Sequence, residues 1–269
     1  MRRRRIGIGF RRELADWLKN HRQLVDSIEI TAEHFFGFDP TGNRLLGKLG
    51  ADFPTFVHGL GLSLGTPGPL CEKTLERFAR VADMANAQWV SEHIAFTRSG
   101  EVDLGHLNPI HFDANSLEIL VDHARQVADR CNRKVVLENI TSALRFETAM
   151  RETEFLNELC RRAGCGLLLD VTNLFINSRN HRFDPRKWLN EIEPENIVQL
   201  HVVGYSRKGN TNFDRHAQPI QDDLLELIGI VFEYAAVEGV TLERDEHLQA
   251  TDEIESDLRK LRALDEQTG

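Results

Sequence analysis

Several short segments of this chain close on residue types that bind metal ions. They are Val57-His58-Gly59, Ser91-Glu92-His93, Leu137-Glu138-Asn139, Leu169-Asp170-Val171-Thr172-Asn173, Leu200-His201-Val202 and Leu242-Glu243-Arg244-Asp245. From His58 through His93, Glu138, Asp170 and His201 to Glu243 the intervals run 35, 45, 32, 31 and 42 residues, so one ligand-type side chain recurs per strand-plus-helix length. Imidazoles and carboxylates that converge repel or desolvate one another unless a cation neutralises them, and mixed N/O ligation suits iron, manganese or zinc. The cysteines (Cys71, Cys131, Cys160, Cys165) end none of these segments, which excludes a thiolate-rich site. Asp214-Arg215-His216 adds a D-x-H, whose two side chains share one side of an extended chain. It lies in a polar segment where Gly209-Asn210-Thr211 predicts an irregular loop. The metal-ligand candidates are therefore His58, His93, Glu138, Asp170, Asn173, His201, Asp214, His216 and Glu243. They exceed the coordination number of one ion, which implies two or three.

The elements that must position them follow from periodicity. Short apolar, β-branched runs fall at 6–10, 27–31, 55–59, 89–96, 134–140, 166–173, 197–203 and 240–245. Amphipathic helical patterns such as 71–86, 115–130, 152–163 and 221–238 lie between them, and a helix is expected after each run. Repeated βα units with buried strands need a parallel sheet, and 269 residues supply eight units of about 34, the length at which such units close into a barrel. The expectation is a single (β/α)8 TIM-barrel domain over 1–269, with the ligands at the C-terminal ends of the strands around one mouth. An open doubly wound sheet is the alternative, but Gly7 and Gly9 are followed by Arg11-Arg12 where its third glycine belongs. Glu138 follows Val135-Val136-Leu137, where burying a carboxylate for packing alone is costly.

Other polar residues carry less information. Arg11, Glu33, His34, Asn108 and Tyr205 are candidates to line a substrate pocket, as is Glu29. The plain reading of Glu33-His34 is a helix start beyond the second strand, and that of Arg11 is a surface salt bridge. His21 and His123, on helical patterns, read as surface or internally satisfied residues. Segment 58–65 is rich in glycine but lacks the Lys-Ser/Thr of a phosphate loop, so it reads as close backbone packing over a site.

Composition narrows the class. Lys and Arg total 33 against 42 Asp and Glu, a net charge of −9, which is poorly matched to a nucleic-acid backbone. No run approaches the ~20 apolar residues of a membrane helix. Scattered cysteines suit a reducing compartment, so a cytoplasmic protein with no nucleic-acid or membrane partner is expected. Met1-Arg2-Arg3-Arg4-Arg5 lacks the apolar stretch of an export signal and reads as a solvated chain start.

The strand-end motifs, over 6–245, resemble those of the multinuclear non-haem iron-dependent oxidative enzymes, the MbnB/TglH-like xylose-isomerase-like barrels. The resemblance implies an iron-dependent oxidoreductase that modifies cysteine residues of a ribosomally synthesised precursor peptide, with dioxygen as cosubstrate and a mixed-valent pair among two to three irons. It implies that Glu138 bridges two irons, that His58 and His93 complete one site, and that Asp170, His201 and Glu243 complete the other. Glu138, Asp170, His201 and Glu243 are thereby the catalytic candidates, and Asn173, Asp214 and His216 resemble a third-iron set, although Asp214-Arg215-His216-Ala217 departs from the usual D-x-H-G. A small partner protein that delivers the Cys-containing peptide is also implied. Two other readings stay open: a divalent-metal-dependent sugar isomerase or endonuclease of the same barrel superfamily, and a non-catalytic metal-binding partner protein. The net charge argues against the nuclease.

Overall fold

The computed structural model describes residues 4–100 and 102–268. The strands are β1 (Arg5–Gly9), β2 (Ser27–Thr31), β3 (Thr55–His58), β4 (Trp89–His93), β5 (Phe96–Ser99), β6 (Val102–Asn108), β7 (Lys134–Glu138), β8 (Gly166–Asp170), β9 (Ile197–Val202), β10 (Gly204–Lys208), β11 (Thr211–Gln218) and β12 (Gly239–Leu242). The α-helices are α1 (Ala15–Asn20), α2 (Pro40–Asp52), α3 (Glu72–Met84), α4 (Ala114–Cys131), α5 (Glu152–Ala163), α6 (Val171–His181), α7 (Pro185–Leu189), α8 (Asp222–Tyr234) and α9 (Thr251–Thr268). Eight strands hydrogen-bond into a closed barrel in the order β1-β12-β9-β8-β7-β4-β3-β2. β1 runs parallel to β12 and β2, β12 to β9, and β4 to β3 and β7. The expected (β/α)8 barrel is the fold. Its strands are buried on both faces, so Val135-Val136-Leu137 and Leu167-Leu168-Leu169 read as continuous apolar runs.

Three expectations need correction. The run 89–96 stops as a strand at His93, and Phe96–Ser99 pairs antiparallel with Val102–Asn108, so a hairpin stands before α4. Segment 209–211 is the turn of a second hairpin, β10–β11, with Gly209 at φ 62, rather than an irregular loop. Strands four and seven of the barrel are thus followed by hairpins before their helices. The run 166–173 ends as a strand at Asp170, whose Oδ1 accepts the Asn173 N–H at 2.7 Å and caps α6. Asn173 therefore lies in a first helical turn.

Packing divides the chain into two units, one of the residues up to Glu29 with those from Leu168 on, the other Ile30–Leu167. The boundaries fall inside β2 and β8. In the first unit the solvated-start reading is wrong for Arg4, whereas Arg2 and Arg3 lie outside the described residues. Arg4 is buried, its Nη1 donating to Asp265 Oδ1 at 2.7 Å and its Nη2 to the Phe232 carbonyl, with the guanidinium 4.4 Å from the Phe232 ring centroid. The first unit also buries Arg244, which donates to Glu253 of α9 at 2.8 Å. In the second unit Asp113 caps α4 by accepting the Ser116 N–H, and Asn132 ends it in the left-handed region at φ 49. His123 of α4 is buried, its ring nitrogens 2.7 and 2.8 Å from the carbonyls of Leu64 and Gly68, an internally satisfied residue as expected. Among the described residues no helix is long and apolar enough to cross a membrane.

Candidate metal centre

In the second unit, His58, His93 and Glu138 are the last residues of β3, β4 and β7, and strand register places His93 opposite Glu138. Nε2 of His58 and Nε2 of His93 each lie 3.5 Å from Glu138 Oε2, and all three side chains are buried. That distance is long for a hydrogen bond. It suits donors around one ion, because two atoms each about 2.1 Å from a metal stand about 3.0 Å apart at an octahedral angle and about 3.4 Å at a tetrahedral one. The far ring nitrogens are anchored: His58 Nδ1 is 2.9 Å from Ser91 Oγ, and His93 Nδ1 is 3.1 Å from Glu92 Oε1. Anchoring Nδ1 leaves Nε2 as the atom that could ligate a metal. Two imidazoles and one carboxylate form a donor set that could hold a metal ion.

The segment after β3 packs over these supports, as its glycines suggested. Leu60 N–H and Gly61 N–H donate to Glu33 Oε1 at 2.9 and 3.0 Å, and Leu62 N–H donates to Glu92 Oε2 at 2.8 Å. A Cβ on Gly59 would come within 2.9 Å of the Phe78 ring and 3.0 Å of Glu92, so only glycine fits without displacement. Burial and the nearby charge of Glu92 push the Glu33 carboxyl up to about 7, against the opposing backbone hydrogen bonds.

In the first unit, Asp170 ends β8, His201 lies one residue before the end of β9, and Glu243 follows β12. They offer one atom each within 4.8 Å of one another, and His201 Nδ1 is 3.1 Å from Glu243 Oε2. Asp214 and His216 come together on β11 not through extended alternation but where the strand is irregular, His216 being left-handed at φ 48, with His216 Nε2 2.7 Å from Asp214 Oδ2, and they group with Asp170. Nδ1 of His216 lies 3.0 Å from Asp245 Oδ2. Burial disfavours a His216 cation, but the carboxylates of Glu243, Asp214 and Asp245 outweigh it and raise the imidazole well above its ordinary value. Partial burial would raise the Asp245 carboxyl, and the His216 hydrogen bond with the Arg11 charge outweighs that and holds it low.

The pocket candidates have these places. Arg11 donates through Nε to Asp245 Oδ1 at 2.7 Å, pairs with it again through Nη2, and donates from Nη1 to the Phe10 carbonyl, so the salt-bridge reading describes its contacts. Glu33 holds the loop above, and exposed His34 shares its 3-10 turn (Ala32–Phe35), the helical start expected beyond β2. Asn108 ties β6 to the Phe96 carbonyl of β5 at 3.1 Å. Tyr205 donates to Asp223 of α8 at 3.1 Å and stacks on Phe175. Sequence reasoning passed over Ser91, Glu92 and Asp245 as supports for ligand histidines. Each stands within two residues of a candidate ligand, and that adjacency was the available signal.

Residues 5–266 match the model of a family described as RiPP precursor modification enzyme MbnB/TglH/ChrH. A UPF0276 protein of Acinetobacter baylyi is 29% identical over 263 residues, covering 97% of this chain and 91% of that protein. Among solved structures, a xylose isomerase domain protein from Planctomyces limnophilus superposes with a TM-score of 0.64 at 14% identity, covering 99% of each chain. D-psicose 3-epimerase with D-tagatose from Clostridium cellulolyticum superposes with a TM-score of 0.64 at 12% identity, covering 98% of each. At such identities these structures speak for the fold alone.

Proposed function

Because this chain belongs to the MbnB/TglH/ChrH family of RiPP precursor modification enzymes, we propose that it oxidatively modifies cysteine residues of a ribosomally made precursor peptide at a multinuclear iron centre. The observation that carries the reading is the arrangement of His58 and His93, with both Nε2 atoms 3.5 Å from one Glu138 oxygen and both Nδ1 atoms anchored elsewhere. Donors of this kind fit iron. In the proposal His58, His93 and Glu138 hold one iron, and Asp170, His201 and Glu243 hold a second. Asn173, Asp214 and His216 hold a third.

Bound iron would supply a position for a cysteine thiolate and a route for its electrons to dioxygen. The chain's own residues supply orientation and charge. Ser91 and Glu92 keep Nε2 of His58 and His93 aimed at the centre, and Glu138, Asp170 and Glu243 balance the cation charge. Leu60–Leu62, tied down by Glu33 and Glu92, cover the Glu92 support from water. A small partner protein presenting the peptide belongs to the same proposal. Its test is mass spectrometry of a Cys-containing precursor peptide incubated with the iron-loaded protein and partner in air. We expect a mass change that needs oxygen and vanishes for a Cys→Ser peptide, since a hydroxyl of far higher pKa does not deliver the anion. Equal modification of the Cys→Ser peptide, or turnover under strict anaerobiosis without added oxidant, refutes the reading.

A further inference from the structure

We propose that Ser63, in the glycine-rich segment after His58, is a positioning residue whose hydroxyl pins the β5–β6 hairpin beyond the His93 end of β4 and so fixes where the peptide substrate is held. The inference rests on the peptide reading above. Ser63 is buried and stands at φ 59, in the left-handed region that glycine occupies without strain and serine does not. The segment uses glycine at 59, 61 and 65, so a serine held in that region at 63 points to a task for its side chain. Ser63 Oγ accepts from the Thr97 N–H at 2.7 Å and from the Arg98 N–H at 3.2 Å, and it lies 2.7 Å from Thr66 Oγ1. Thr66 Oγ1 donates to the Arg98 carbonyl at 2.8 Å. A carbonyl offers only lone pairs, so the Thr66 proton is committed there and the Ser63 proton goes to Thr66. The hydroxyl of Ser63 is thereby saturated, with one proton given and two lone pairs filled.

Both backbone groups of Arg98 are taken by this segment, the N–H by Ser63 and the carbonyl by Thr66, so 63–66 covers one edge of β5 while β6 pairs with the other. Gly65 N–H adds a bond to the Ala95 carbonyl at 2.8 Å, and a Cβ on Gly65 would come within 2.8 Å of that oxygen. The rest of the hairpin is largely solvent-facing: Val102 is 61% exposed, and Ser99, Asp103, Gly105 and His106 are exposed as well. A two-stranded hairpin of that kind is marginal unless something holds its base. The hairpin starts three residues beyond His93, and between them the Ile94 N–H donates to the Glu138 carbonyl at 2.8 Å, so its base is joined to two strands that end in candidate ligands. Segments after strand ends are where barrels of this kind build the substrate site. A polypeptide substrate needs a wall longer than one side chain, and the seven residues of β6 supply one at about 3.3 Å each. None of the candidate metal ligands lies on the hairpin, so the pin acts on placement of the peptide and leaves the metal donors alone.

The test is Ser63→Gly, which keeps a turn at φ 59 and removes only the hydroxyl. The Thr97 and Arg98 amides should exchange with deuterium about 5- to 30-fold faster than in the native protein, the effect of losing one or two hydrogen bonds, while Val90 and Val136 of the barrel strands keep their native rates. With the Cys-containing precursor peptide, iron-loaded protein and partner in air, KM for the peptide should rise by a similar factor, with iron content and kcat native. Native exchange at Thr97 and Arg98 in the folded variant overturns the inference, as does faster exchange shared equally by Val90 and Val136, or a native KM despite a loosened hairpin. A fall in kcat at native KM overturns it as well, because Ser63 would then act on the chemistry. If Ser63→Gly fails to fold, Thr66→Val, which takes away the partner of the Arg98 carbonyl, is read by the same exchange and KM measurements. Native protein that modifies no Cys-containing peptide refutes the peptide reading, and the exchange rates then decide by themselves whether Ser63 pins the hairpin.

Discussion

Glu33 makes the pH dependence of stability a direct probe of the loop over the Glu92 support. Its carboxyl is pushed up to about 7 by burial and by Glu92, whereas in the unfolded chain it returns to about 4.5. Between these values the folded protein holds a proton that the unfolded chain has lost, so stability falls as pH rises and levels off above the folded value. Integrated from pH 5 to pH 8, this one group removes roughly 2 to 3 kcal/mol. Glu33→Gln keeps an oxygen to accept from Leu60 and Gly61 but cannot ionise, so any cost of placing an amide there is the same at every pH. The assay is urea unfolding of native and Glu33→Gln proteins, both with chelator, so that metal uptake does not add its own proton release. The native protein should lose roughly 2 to 3 kcal/mol relative to the variant between pH 5 and pH 8, about 5 to 10 °C in melting temperature for a chain of this size. A difference that stays flat within about 0.5 kcal/mol, or that grows in the native protein's favour with pH, refutes the placement of Glu33 as a buried acid beside Glu92.

Three further outcomes are expected. Glu138→Gln should be the most damaging single change to metal content, measured by elemental analysis after anaerobic iron loading, whereas His216→Ala should lose one equivalent only; the reverse order contradicts the proposed roles. Asp245→Asn should weaken the metal held by His216 about 10- to 100-fold, read by titration with manganese(II), because Asp245 orients Nδ1 and is itself held by Arg11. Arg4→Ala should destabilise the protein by about 3 to 5 kcal/mol in urea, because it strands Asp265 at a nearly buried position, and a loss below about 1 kcal/mol would mean that the pair is solvated.

The barrel was legible because its signal is strong and local. A parallel strand buried on both faces must be apolar along its length, and Val135–Leu137 or Leu167–Leu169 cannot be read as a solvent-facing edge. The hairpins were not legible. In β5–β6 most residues are at least partly exposed, so no apolar run marks them, and in β11 the alternation is carried by polar residues such as Asn212 and Asp214. Asn173 was assigned to a strand because Val171-Thr172 is β-branched, yet the cap supplied by Asp170 outweighs that preference and starts α6 there.

At the site, legibility divides between the atoms that would touch metal and those that aim them. Ligand types at strand ends announce themselves, since a carboxylate or imidazole beside apolar residues needs a reason to be there. The supports have no such mark. Ser91 is an ordinary strand residue until register sets it opposite His58. Asp245 was visible beside Glu243, but its work on His216 depends on a hairpin that composition did not reveal. Which histidine nitrogen faces the candidate centre is therefore a tertiary property: at His58 and His93 the partners that anchor Nδ1 leave Nε2 toward Glu138.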